Sequence, residues 1–348
     1  MALPDAGGEQ RTAVELQDQR RTMITSRVCP GMTQVILDNG RIRATVLPEL
    51  GGKISSLVRA ATGREFLRQP VSQPRQVVYG ASFESYDASG FDECFPTIAA
   101  CEYPGGSFNG LALPDHGELW SSRWQFETRG EQLWLAVIGR RLPYIFRQRI
   151  GLEQEAIVLR YELESVTDAP FYYLWSAHPL LKIEPGCRIV LPEDVIEMRV
   201  ESSRNQRLGE SGDSSRWPRA RLADGSETDL SILGDPSRQT ADKLFTPRLS
   251  NGACALYFPE SNESISLHFD SAIIPYIGVW ICEGGWPSPE DGHYTSALEP
   301  CTSRADSLAK AMGCGECARI LPGAKKSWEL RIQLQTGLPE NLRDRTYT

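Results

Sequence analysis

Strict alternation of apolar and polar residues limits what this chain can fold into more than any other feature. In AIVLRYELESV, Ile157, Leu159, Tyr161 and Leu163 fall on one side and Arg160, Glu162 and Glu164 on the other. In SWELRIQLQ, Trp328, Leu330, Ile332 and Leu334 oppose Glu329, Arg331 and Gln333. SISLHFD sets Ile265, Leu267 and Phe269 against Ser266, His268 and Asp270, and RIRATVLP aligns Ile42, Ala44 and Val46. Successive side chains of a strand point to opposite faces, so a period of two predicts half-buried strands. Turn residues separate the runs: DNG at 38–40, ELGG at 49–52, TRGE at 128–131, EPG at 184–186, SNG at 250–252 and LPG at 321–323.

Helical signals are few. SRADSLAKAMG predicts a short helix capped by Ser303 and stopped near Gly313, and TAVELQDQRR near the start predicts a second. No repeat of fixed period is present. Residues 204–229, RNQRLGESGDSSRWPRARLADGSETD, are polar, rich in Gly and Ser, and charged with both signs. Strands of one style continue on both sides of them, so they read as a long, poorly ordered surface excursion rather than a linker. The expected architecture is all-β, a large antiparallel sandwich over residues 26–340 as one domain, behind a polar leader at 1–25.

The 348 residues carry a formal net charge of -8. Nucleic acids and anionic membranes demand a basic footprint, so neither is an expected partner. No apolar run approaches the ~18 residues that span a bilayer. The opening residues lack the apolar core of a secretory signal. Nine cysteines, an odd number spread along the chain, read as reduced thiols of a cytoplasmic protein. CGEC at 314–317, with Cys282, Cys301 and His293, has no second C-x-x-C at finger spacing, so no metal site is expected. Phosphate-loop, dinucleotide and nucleophile-elbow motifs are missing.

Ionisable groups in unusual settings mark the candidate chemistry. His178, one of only four histidines, interrupts the apolar run FYYLWSAHPLLKIEPG and precedes Pro179. Proline disfavours helical backbone at His178 and cannot donate to a ladder, so this strand should bulge, end or lie on an edge there. Taken alone, a histidine of this kind reads first as a buried ring satisfied by a backbone carbonyl. LPDHGELWSSRW places His116 before a glycine that permits close backbone approach. GFDECFPTI sets Asp92 and Glu93 beside Phe91 and Phe95. In YTSALEPCTSRADSL, Glu299 lies between Leu298 and Pro300, where partial desolvation would make it a better base. Each of these charges taken alone also reads as a solvated loop residue.

Taken in order, these segments resemble the aldose 1-epimerase (galactose mutarotase-like) family. NGRIRATVLPELGGKISSL with GREFL is similar to its opening strands, DHGELWSSRW to its first histidine motif, and LWSAHPLL to its second. SALEPCTSRADSL and ARILPGAKKSWELRIQL are similar to its glutamate motif and last strand, so the likeness spans roughly Gln34 to Leu334. The resemblance implies a β-supersandwich and an isomerase that interconverts the anomers of a sugar without cofactor or metal. It implies Glu299 as the base at the anomeric hydroxyl and His178 as the acid at the ring oxygen, the two lying across the sugar ring. His116 would help to hold the substrate. An unperturbed histidine titrates near 6.5, which suits an acid working near neutrality.

The likeness has departures. Where the galactose-specific branch carries an asparagine–arginine pair, this chain has Asp92 and Glu93, which become candidates for binding the sugar. The family's sugar-facing aspartate has no certain match, and Asp270 is the candidate. Trp175, Trp280 and Phe95 are candidate stacking platforms for the apolar face of a sugar. A non-catalytic sugar-binding protein on the same scaffold is one alternative. An epimerase of phosphorylated hexoses is another, with Arg123 and Arg147 or Arg149 available for the phosphate. The natural sugar and the oligomeric state are not encoded in any motif.

Overall fold

The computed structural model describes residues 21–29, 31–86 and 88–342. Residues 1–20, most of the expected leader, and most of the predicted N-terminal helix lie outside the described residues. The first strand, Met23–Cys29, begins inside the stretch assigned to the leader. Among the described residues the strands form a twelve-stranded sheet, an eight-stranded sheet and three two-stranded ribbons, with antiparallel pairing in both large sheets.

The predicted alternation sets the packing. Ala156–Ser165 and Lys325–Thr336 pair in register, with Leu159 opposite Leu330 and Tyr161 opposite Trp328. Their apolar residues meet Leu298, Val279, Leu244 and Ala177 of the twelve-stranded sheet in one apolar cluster between the two sheets. Burial of such faces is the main favourable term in folding. Glu263–Phe269 departs from simple alternation, because Ser264 and Ser266 on its second face are buried as well.

Two segments differ from expectation. The helix runs Leu308–Cys314 and is capped by Ser307, whose hydroxyl accepts from Lys310 N; it ends at Gly315 in the left-handed region. Ser303 is buried instead, and its hydroxyl donates to Ala305 O. Residues 204–229 are ordered and anchored. Ser214–Arg216 adds a strand beside Glu197–Ser203, Arg219–Arg221 pairs with Glu227–Asp229, and Trp217 and Ala220 are buried. Arg207 also donates to the buried Asp242, with Nε 2.9 Å from Oδ2. Polar composition misled here because the few apolar residues are the ones that pack.

The centre of the twelve-stranded sheet matters most for function. Ser176–Leu181 lies between Phe91–Cys94 and Tyr294–Cys301, so it is neither an edge strand nor a strand end. Its ladder to Tyr294–Cys301 pairs Ser176 with Cys301 and Leu180 with Ala297, and lapses in between. Leu180 N donates toward the other neighbour, to Gly90 O. The alternate position, Pro179, therefore faces the lapse, where a missing N–H costs nothing further.

Candidate active site

Four neighbouring strands raise side chains from one face of this sheet into a common cavity. His178 and Leu180 come from Ser176–Leu181, Thr295 and Glu299 from Tyr294–Cys301, Trp280 from Tyr276–Glu283, and Lys243 from Thr240–Phe245. The loops above add Phe83, His116, Trp286, His293 and Asp306. The volume is about 220 Å³. Pockets for drug-sized ligands run to about 300–1,000 Å³, so this one suits a single ring rather than a chain of them.

The pairing register carried across the ladder's lapse sets His178 opposite Glu299. His178 Nε2 lies 3.9 Å from Glu299 Oε1. Both side chains are buried, and neither Glu299 Oε1 nor His178 Nδ1 has a hydrogen-bond partner among the described residues. Glu299 and His178 both line the cavity, so a ligand there would meet these two polar groups. Burial lowers the pKa of His178 well below the ordinary value of 6.5, and His116, Lys243 and Lys53 add electrostatic opposition to its charge. The imidazole is therefore neutral near neutrality, contrary to the expectation of a freely titrating ring.

His116 sits at the cavity wall with its ring stacked on Phe83, centroids 4.0 Å apart, and edge-on to His178 at 5.1 Å. Its Nδ1 lies 2.9 Å from Asp115 Oδ1. A carboxylate accepts, so Nδ1 carries the proton and Nε2 is left for other partners. The residue is held at φ 55°. Next to it Gly117, at φ 72°, passes so close to the chain that a Cβ there would lie 2.1 Å from Phe95 O. The sequence signal of a glycine after His116 thus marks a real close approach.

Two residues that sequence reasoning missed complete the floor. Lys243 is 5% exposed and forms ion pairs with Glu299 Oε2 and, at 3.7 Å, with Asp306 Oδ1. Burial opposes its charge, but Asp306 and Glu299 outweigh that and its pKa is raised. Burial pushes Asp306 up to about 6, against the pull of Lys243. The only cue was Lys243 itself, a cation within the apolar strand TADKLF. Asp306 sits beyond the strand, in a loop without periodicity.

Other sequence candidates lie elsewhere. Glu93 neighbours Asp92 and so points to the opposite face of the sheet. It is buried between the sheets, accepting from Gln148 Nε2 at 2.9 Å, Tyr161 Oη at 2.8 Å and Trp175 Nε1 at 3.0 Å. Trp175 is wholly buried with it, and Phe95 packs against Tyr144, Phe146 and Tyr173. None of the three lines the cavity. Asp92 shares the His178 face but is buried in an ion pair with Lys53 at 2.8 Å, outside the cavity lining. Asp270 is exposed in a turn after a strand of the other sheet, accepting from Ala272 N. Of the candidate binding residues, His116 and Trp280 are the two at the cavity. The arginines offered for a phosphate are also remote. Arg123 pairs with Glu49, Arg147 with Glu162 and Glu164, and Arg149 stacks over Trp134.

No family model and no curated protein matches the sequence. Solved structures do match. A galactose mutarotase-like protein from Lactobacillus casei ATCC 334 superposes with a TM-score of 0.63 at 16% identity, over 87% of this chain and 100% of its own. The chain has the galactose mutarotase-like fold. A galactose mutarotase related enzyme from Lactobacillus acidophilus gives 0.61 at 15% identity, over 90% of this chain and 98% of that one. A galactose mutarotase-like protein from Clostridium acetobutylicum gives 0.63 at 11%, over 91% and 99%. Among the described residues no helix is long and apolar enough to cross a membrane.

Proposed function

We propose that this protein is an aldose 1-epimerase that exchanges the anomers of a monosaccharide, with Glu299 and His178 as its acid–base pair. The observation that carries the reading is the 3.9 Å separation of His178 Nε2 and Glu299 Oε1, in a cavity sized for one ring. The two side chains stand side by side, where the resemblance implied groups across the sugar ring. That arrangement suits the chemistry, because the anomeric and ring oxygens are bonded to the same carbon.

Glu299 Oε1 takes the proton of the anomeric hydroxyl while His178 Nε2 delivers a proton to the ring oxygen. The bond between the anomeric carbon and the ring oxygen breaks, leaving an aldehyde and a hydroxyl. Rotation about the adjacent C–C bond presents the other face of the carbonyl, and the transfers run in reverse. The resting imidazole is neutral, so it takes up a proton from solvent before the transfer and acts as imidazolium in that step. Its depressed proton affinity favours release of that added proton to the ring oxygen, which restores the neutral ring, and the reverse step returns the proton to it. His116 Nε2 and Trp280 are placed to hold a hydroxyl and an apolar sugar face respectively.

Exchange NMR on a panel of free and phosphorylated aldoses tests the reading. Faster exchange between the α and β signals of at least one free sugar is the expected result. Sugar-induced shifts with no added exchange on any member would replace the enzyme with a binding protein.

A further inference from the structure

Lys243 cannot reach Glu299 without crossing the strand between them. Lys243 pairs in register with Trp280, and Glu299 pairs with Gly278, two residues further along the same central strand. The crossing point is therefore Gly278. A Cβ at that position would lie 3.3 Å from Lys243 Cε, 3.3 Å from Glu299 Oε2 and 3.2 Å from Phe245 Cε1. Any side chain there would occupy the space through which the lysine passes. The backbone at Gly278 is not in the left-handed region, so conformation does not demand a glycine; the close approach does.

The ammonium then sits between two carboxylates, Glu299 and Asp306. It takes only one oxygen of Glu299. Oε2 is tied to Nζ, whereas Oε1 remains without a partner and faces His178. A carboxylate on a flexible stem has many rotamers; an ion pair in a dry site selects one. The lysine's own position is set in turn by Asp306 and by its ammonium over the Phe245 ring, 5.5 Å from Nζ to centroid.

We propose that Lys243 is a positioning residue, which clamps Glu299 by one oxygen so that the other is presented beside His178 to the anomeric hydroxyl. This rests on the epimerase reading of the site. It assigns Lys243 no direct contact with the sugar, so its loss should reach turnover rather than binding.

The test is Lys243→Met, measured on whichever sugar of the panel the wild type exchanges. Misplacing a reacting group by about 1 Å costs on the order of a hundredfold. We expect kcat to fall by about that factor with KM within about threefold of wild type, since uniform binding is untouched. Gly278→Ala keeps the lysine but crowds its path, and a folded Gly278→Ala protein should lose kcat in the same sense by about tenfold or more. It decides the matter if Lys243→Met does not fold. Wild-type kcat in either folded variant would overturn the proposal, as would a rise in KM at unchanged kcat, which would make the lysine a sugar ligand. If the wild type exchanges no sugar, the epimerase reading falls separately. The clamp is then judged on the crystal structure of Lys243→Met: Glu299 turned away from His178 supports it, and Glu299 unmoved overturns it.

Discussion

His178 stands across a strand pair from Glu299, at the one place where the ladder between their strands lapses. Pro179 sits at the lapse, its nitrogen facing Tyr294–Cys301 with no proton to donate. Two polar side chains are thereby raised side by side from the middle of a sheet, where backbone positions are better defined than in a loop.

His178→Ala and Glu299→Gln should each slow anomer exchange at least about a hundredfold, the usual contribution of a proton-transfer group. Circular dichroism and melting curves should show folded protein in both cases. Exchange NMR at saturating sugar gives the turnover directly, and either variant retaining wild-type turnover would remove that residue from the mechanism.

The ring of His178 should not titrate between pH 6 and 8. Burial, with His116, Lys243 and Lys53 nearby, depresses its pKa. The sign for stability follows: below 6.5 the unfolded chain binds a proton that the folded one refuses, so this group's contribution holds above that value and is lost on acidification. Histidine-labelled NMR, with His178→Ala to assign the signal, would contradict this by showing a midpoint at or above 6.5.

Glu93 should behave as a core acid. Burial raises it to about 8 from 4.5, partly offset by hydrogen bonds from Tyr161 and Trp175, with Asp92 adding to the rise. The folded state then holds a proton that the unfolded chain has lost between those values. Its contribution is full below 4.5 and disappears as pH rises through 8. Glu93→Gln should therefore gain stability relative to wild type on going from pH 6 to 8, at up to about 1.4 kcal/mol per pH unit. Turnover should be unchanged, because the side chain points away from the cavity. Denaturant melts of both proteins across that range would reveal a flat difference if Glu93 were ordinarily ionised.

Gly117→Ala should be among the most damaging small substitutions. The added Cβ would meet Phe95 O at 2.1 Å, and the backbone is already at φ 72°. A loss of about 2 kcal/mol or more is expected from the clash and the strain together. His116 would move with the loop, so sugar binding should weaken as well. A variant as stable as wild type would mean that this turn has room to open.

The sequence by itself determined the strands. Alternation in AIVLRYELES, KKSWELRIQL and RIRATVL is a local property, imposed by the pleat, and it specified which residues face the core. It also singled out His178, His116 and Glu299 by their settings, and those three do meet at one cavity. Tertiary structure alone decided the rest. Asp92 and Glu93 are equivalent as letters, but adjacency on a strand sends one to the cavity face and the other into the core. Trp175 and Trp280 were equal candidates until the stacking order of the sheet put one inside the sandwich and the other at the cavity. Lys243 and Asp306 became part of the site only because two strands and a loop, distant in the chain, pair in a register that passes over Gly278. Periodicity reports which face a side chain occupies; it carries no information about which other strand will lie beside it.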